Sequence, residues 1–253
     1  MHPILFRVGG ISLYSFGLMV ALAYLFIIWI SLIFAKREGI KAETILDLSV
    51  YVLFASFLGA RLFYVFGQWD IYKDNLLEII MIQRGGLVFL GGLISGLAAF
   101  FIYARIKHLS LLKLLDIASP GVVLGYAIGR IGCFLNGCCF GLPTHLPWGV
   151  TFPPGSLARY FLPDEPLHPT QLYSSFSMLL AFILLLLIYR NKKFEGQIFF
   201  WALVFYSVYR FTVEFFRFSP IHIWGLTPSQ PVVVVLFFIG LSGLIYNWRF
   251  RRS

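Results

Sequence analysis

Apolar residues fill this chain in long runs, separated by short stretches where the charge collects. Ile11 to Ala35 contains no charged residue, and at roughly 20 residues per crossing it is long enough to span a bilayer. Its length and the lack of a small-residue cleavage site set it apart from a secretory signal peptide. Six further runs follow, at about Ile45–Gln68, Gly86–Ala104, Ile117–Leu135, Thr170–Tyr189, Gly196–Arg217 and Leu226–Trp248. The pattern predicts an all-α integral membrane fold of seven transmembrane helices, with the termini on opposite sides. The longest connection, 137–169, is rich in proline and also carries Trp148, Phe152, Tyr160 and Phe161. Prolines favour turns, and the aromatic residues give the segment something to pack. It predicts an ordered loop cap, the kind of segment that carries function.

Composition agrees. The chain is 59% hydrophobic and 12% charged, about half the charged fraction of a soluble domain, so a single polytopic membrane domain over 1–253 is expected. The net charge of +9 raises the question of nucleic acid, but its placement answers it. Twelve of the 20 lysines and arginines fall after odd-numbered runs or at the C-terminus, among them Lys36, Arg37, Arg105, Lys107, Arg190, Lys192 and Arg252. Only Arg7, Lys73, Arg84, Arg159 and Arg217 fall on the other side. By the positive-inside rule the richer side is cytoplasmic. The N-terminus and the loop cap then face out, the C-terminus faces in, and no nucleic-acid partner is needed.

The candidate chemistry centres on Gly129–Thr144, which reads GRIGCFLNGCCFGLPT. An arginine inside or beside a membrane helix is costly unless paired, hydrated or used, and glycines let a ligand or backbone come close. Arg130, with Asn136 and Gly141 beyond it, suggests a pocket for an anionic headgroup, since a guanidinium grips phosphate with paired hydrogen bonds. Pairing of Arg130 to backbone or to Glu214 is the structural alternative. In the sixth run Tyr206, Arg210, Glu214 and Arg217 recur at spacings that share one helical face. They form either a ligand-binding stripe or an internal Arg210–Glu214 pair. Gly91 and Gly92 either admit a headgroup or, with Gly96, allow close helix packing. Arg61 is a third cation for the pocket or a packing group. His168, which opens HPTQLY, and Gln171 read as loop or helix-start contacts. Cys133, Cys138 and Cys139 match no common zinc spacing. They read as small buried hydrophobes or, for Cys133 and Cys138, as a disulfide pair in an oxidising compartment. No metal and no cofactor is implied.

Several of these motifs, in order, resemble the bacterial prolipoprotein diacylglyceryl transferases. The resemblance covers nearly the whole chain: SFGLM, LGARLFYV, RGGLVFLGGLISG, GRIGCFLNGCCFGLPT, LPWGVTFPPGS, LHPTQLY and YRFTVEFFR. It implies a seven-span inner-membrane enzyme with a periplasmic head. Such an enzyme moves the diacylglyceryl group of phosphatidylglycerol, a membrane lipid, onto the lipobox cysteine in the signal peptide of a prolipoprotein, releasing glycerol phosphate. Carried over by position, Arg130, Arg210, Tyr206 and Glu214 are the catalytic candidates. Arg130, Arg61, Asn136, Gly141, Gly91, Gly92, His168 and Gln171 are the substrate-binding ones. Leu90 stands where many members have histidine, Phe16 where many have tyrosine, Cys133 where the signature has asparagine, and Cys138 where it has glutamate. A lipid transporter or scramblase, or a catalytically divergent relative, is the competing reading.

Overall fold

The computed structural model describes residues 4–8, 11–73, 76–81, 85–221 and 225–250. Arg84, Arg251 and Arg252, counted above for charge, lie outside them. Among the described residues the chain is mostly helical, with seven helices of 18 residues or more: α1 (Ser15–Arg37), α2 (Ala42–Gly67), α4 (Phe89–Ile106), α5 (Leu111–Asn136), α7 (Thr170–Arg190), α8 (Gln197–Glu214) and α9 (Ser229–Phe250). Two short helices, α3 (Trp69–Tyr72) and α6 (Leu157–Phe161), lie in connections. Six of the long helices are apolar enough throughout to cross a membrane. The other, α8, is diluted by Tyr206, Ser207, Tyr209, Arg210 and Glu214, so it reads as a span with one polar face. This is a multi-pass membrane protein.

The boundaries differ from expectation in three places, each for a local reason. Ile11–Tyr14 is not helical but forms strand β2, antiparallel to β1 (Ile4–Val8), with Val8 opposite Ile11 and Ile4 opposite Tyr14. An apolar strand and the start of an apolar helix read alike in an uninterrupted apolar run. The third span begins at Phe89, because the stretch after Gly85 and Gly86, both at positive φ, runs extended into it. The sixth ends at Glu214, so Arg217 lies beyond the helix rather than on its face. Phe216 to Phe218 instead pair with the backbone of Phe140 to Leu142.

The chain divides into two compact units, Met1–Ser31 with Leu115–Ser253, and Leu32–Leu114. In the smaller unit α2 packs on α4 with almost no room between the backbones. A Cβ on Gly91 would lie 2.6 Å from the Gly59 carbonyl oxygen, and one on Gly92 3.1 Å from that of Ser56. Arg61, buried on α2, donates to the carbonyls of Glu78 at 2.7 Å, Ile79 at 2.8 Å and Gly85 at 2.6 Å. Its guanidinium also lies over the Tyr72 ring.

In the larger unit α1 meets α5 at Gly121 and Gly125, where Ile27 occupies the space a side chain would need. The start of α8 is held from α5. Gly196, at the N-cap of α8, adopts the left-handed conformation and offers no side chain to cap the helix. Asp116, fully buried, does so instead, accepting from Gly196 N at 2.7 Å and Phe199 N at 2.9 Å. Lys192 Nζ lies 2.9 Å from the same carboxylate. Helix starts leave N–H groups without partners; here a carboxylate from another helix supplies them.

The 137–169 connection is ordered. Phe140, Phe152, Ala158 and Leu167 form its core, with Phe134, Val150, Leu162 and Phe218 against them. Val150 and Leu167 exchange both backbone hydrogen bonds, at 2.9 and 3.0 Å.

Candidate functional site

Three segments of the larger unit converge: the end of α5, the polar face of α8, and the backbone strip that joins 140–142 to 168 and 216–218. Arg130 sits in the last two turns of α5 and is half-buried. Four residues earlier on the same face, Tyr126 accepts a hydrogen bond from Arg130 Nη2 and places its ring 4.7 Å from the guanidinium carbon. Tyr126 Oη is also 2.7 Å from Tyr209 Oη on α8. A guanidinium can only donate, so Tyr126 accepts from Arg130 while its hydroxyl also shares a hydrogen bond with that of Tyr209. One of Arg130's five N–H donors is thereby engaged.

Tyr206 completes an aromatic trio. Its ring centroid lies 5.7 Å from Tyr126 and 5.8 Å from Tyr209, and the charges of both Arg210 and Arg130 reach it. One turn on, Arg210 Nη2 pairs with Glu214 Oε2 at 2.9 Å, and the same oxygen lies 3.6 Å from Arg217 Nη1. Arg210 and Glu214 are both buried. Glu214 therefore serves two arginines at once, and Arg217 Nε is buried with no hydrogen-bond partner. Tyr126, Tyr209 and Asp116 were not among the sequence candidates. The Tyr126–Arg130 spacing of one turn held the signal for the first. Tyr209 lies off the four-residue stripe, and nothing local marks Asp116.

The two arginines closest to the loop frame the cysteines. The Sγ atoms of Cys133, Cys138 and Cys139 all lie within 4.8 Å of one another, and none of the three is in a disulfide. The Cys139 thiol, beyond the helix, is held well below the usual thiol range by hydrogen bonds from Cys133 and Cys138, with the charges of Arg217 and Arg130 adding to this. Asn136 is the last residue of α5, and the Cys138 thiol that follows it donates to the Cys133 carbonyl at 3.7 Å.

The remaining candidates hold backbone in place. Gln171, fully buried at the start of α7, donates to Cys138 O at 2.7 Å, and Thr170 donates to Cys139 O at 2.9 Å. His168 Nδ1 lies 3.1 Å from Tyr173 Oη, and its ring packs on Phe216. Gly141 passes through the narrowest point: a Cβ there would lie 2.6 Å from both His168 O and Phe216 O. Gly141→Ala must push apart the strip that aligns Arg217 with the site. The expected cost is about 1–3 kcal/mol, the range for overpacking. It is read as a lowered midpoint of thermal unfolding in detergent, and an unchanged midpoint would contradict the close approach. Arg61, Gly91 and Gly92 belong to the smaller unit and act there as described above.

A sequence profile of the prolipoprotein diacylglyceryl transferases matches residues 3–246. The phosphatidylglycerol–prolipoprotein diacylglyceryl transferase of Finegoldia magna is 37% identical, covering all of this chain and 97% of its own length. That of Clostridium tetani is 35% identical with full coverage of both. The one from Acaryochloris marina, 34% identical, covers 99% of this chain and 92% of its own length. Matches of this extent leave one assignment: the chain belongs to the prolipoprotein diacylglyceryl transferase family.

Proposed function

We propose that the protein transfers the diacylglyceryl group of phosphatidylglycerol to the thiol of a lipobox cysteine in a prolipoprotein signal peptide. It does so in the bacterial inner membrane, with the N-terminus and the 137–169 cap outside and the C-terminus in the cytoplasm. The observation that carries the proposal is the charge count at the site. Arg210 and Arg217 share one carboxylate, Glu214, and Arg130 makes its hydrogen bond to a neutral phenol, which leaves positive charge for an anionic group to balance. A phosphate is the group whose oxygens match guanidinium geometry.

In the proposed step the sulfur of the incoming thiolate attacks the glycerol carbon that carries the phosphate ester. A C–S bond forms, the C–O bond breaks, and glycerol phosphate leaves with the electron pair. The thiol's proton passes to solvent or to the departing phosphate. Charge grows on the leaving oxygens, so fixed cations aimed at them stabilise the transition state more than the ground state. Arg130 and Arg210 supply that stabilisation. Glu214 holds Arg210 in its rotamer, and the Tyr206 hydroxyl donates a hydrogen bond. Asn136, Gly141, His168 and Gln171 support the pocket by fixing the 137–142 backbone. Arg61 spends its donors on carbonyls of the 78–85 stretch, which favours a packing role, and Gly91 and Gly92 serve the α2–α4 contact. Leu90, largely exposed on α4, contributes no proton acceptor.

The test is purified protein with phosphatidylglycerol vesicles and a lipobox peptide, followed by mass spectrometry. The peptide is expected to gain one diacylglyceryl mass, and the same peptide with serine for cysteine is expected to gain none. Movement of lipid between leaflets with no peptide adduct would favour the transporter reading instead.

A further inference from the structure

The three thiols are arranged as a ligand set. We propose that Cys133, Cys138 and Cys139 bind one thiophilic metal ion of the class of Cu(I) and Zn²⁺, a site separate in chemistry from phosphate recognition and independent of the transfer reaction. Sulfurs bonded to one ion at about 2.3 Å sit roughly 3.8–4.0 Å apart, in tetrahedral or trigonal geometry. The three Sγ atoms already lie within 4.8 Å of one another, so small side-chain rotations close the set. Thiolates select this class of metal over hard cations. No histidine or carboxylate joins the group among the described residues, which points to a three-sulfur site with any fourth position left to solvent or backbone.

The backbone around the thiols is fixed in the way a preformed site requires. Cys139 has a φ of 59°, a left-handed conformation uncommon for any side chain other than glycine. It is held there by the Thr170 hydroxyl on its carbonyl. The preceding carbonyl, of Cys138, is held by the Gln171 amide, and both anchors are buried at the start of α7. Gly137, at φ 72°, makes the turn that brings Cys138 back over the last turn of α5, where Cys138 N donates to Cys133 O at 3.1 Å. All three cysteines are half-buried, so the cluster is sheltered yet within reach of an entering ion. Three small hydrophobes filling space would need neither the strained backbone nor the double anchor. A bound ion joins the end of α5 to the loop anchored on α7, one turn after Arg130. Each coordinating thiol releases its proton on binding.

The experiment uses the reduced, full-length protein in phosphatidylcholine nanodiscs under anaerobic conditions, titrated with Cd²⁺ and separately with Cu(I). One equivalent per chain is expected, with a thiolate-to-cadmium charge-transfer band and loss of all three thiols to alkylating reagent. Cys139→Ser should weaken Cd²⁺ binding by more than the roughly 10- to 100-fold that loss of an outer-shell partner typically costs. Absence of the band at one equivalent overturns the proposal, as does a Cys133–Cys138 disulfide in the anaerobically purified parent. Uptake that persists in a Cys133→Ser, Cys138→Ser, Cys139→Ser variant also overturns it. The parent titration is decisive even where a variant fails to fold.

Discussion

Arg130→Lys is expected to slow single-turnover transfer by about 10- to 150-fold. Lysine keeps the positive charge but loses the planar fork that grips two phosphate oxygens. The interaction removed is a charge-assisted hydrogen bond of roughly 1.5–3 kcal/mol, and each ~1.4 kcal/mol is a factor of ten in rate. Arg130→Ala should be slower still. Tyr126→Phe separates the two jobs this arginine has. It deletes the acceptor that engages Arg130 Nη2 while keeping the ring beneath the guanidinium, so it perturbs orientation and leaves the fork intact. Its effect should be smaller than that of Arg130→Lys. The measurement is single-turnover transfer by the folded variants in nanodiscs. An Arg130→Lys rate within about twofold of the parent, well inside the margin of that estimate, would remove Arg130 as the phosphate-gripping residue. Equal losses in Arg130→Lys and Tyr126→Phe would make it a partner of Tyr126 and nothing more.

How much of this was legible in the sequence depends on the range of the interaction concerned. The long apolar runs give the spans directly, because a bilayer demands a fixed length of apolar helix. The stripe Tyr206–Arg210–Glu214 was equally legible, since a spacing of four residues is one helical turn and its pairing follows from geometry alone. Elements set by backbone pairing were not. The first apolar run, Ile11 to Ala35, takes in strand β2, and spacing alone carries α8 on to Arg217. In the structure, the hydrogen bonds of Leu142 N to Phe216 O and of Phe218 N to Phe140 O end that helix by drawing its exit strand across the loop. That pairing joins residues more than seventy positions apart, and no local pattern encodes it.

The site divides along the same line. Arg130 and Gly141 stood out by residue type, but their reasons differ. Arg130 sets one donor on a phenol, whereas Gly141 is glycine because two carbonyls from other segments leave no room for a methyl group. By spacing alone the cysteines match no familiar metal motif and read as small hydrophobes or as a Cys133–Cys138 disulfide pair. The turn at Gly137 brings them together, with one ligand from a helix and two from the loop, an arrangement that sequence spacing does not report. Arg61 shows the converse. Its type and place leave a ligand contact and a packing role equally open, and its donors go to three backbone carbonyls.

The largest effect on stability is expected at Asp116, far from the arginines. Its carboxylate accepts from Gly196 N and Phe199 N and pairs with Lys192, so it caps α8 and neutralises a cation at the same point. Removing one member of a buried ion pair costs about 3–5 kcal/mol, because the other charge stays behind. Asp116→Ala should fall in that range. Asp116→Asn should be milder, since its single carbonyl oxygen still serves one of the two N–H groups while its amide nitrogen meets the other. Lys192→Met should be milder again, as the carboxylate keeps both backbone donors and Lys192 retains some solvent contact. In the double variant Asp116→Asn with Lys192→Met the loss should be less than the sum of the singles, the mark of coupling between neighbours. Phe199 and Arg210 are separated by about 16 Å along α8 at 1.5 Å per residue. The transfer rate of the folded fraction should therefore stay close to that of the parent while the unfolding midpoint drops. Equilibrium unfolding in mixed micelles measures the first quantity and single-turnover transfer the second. An Asp116→Ala stability within about 0.5 kcal/mol of the parent, the range of an ordinary surface substitution, would show that α8 does not depend on this carboxylate for its start.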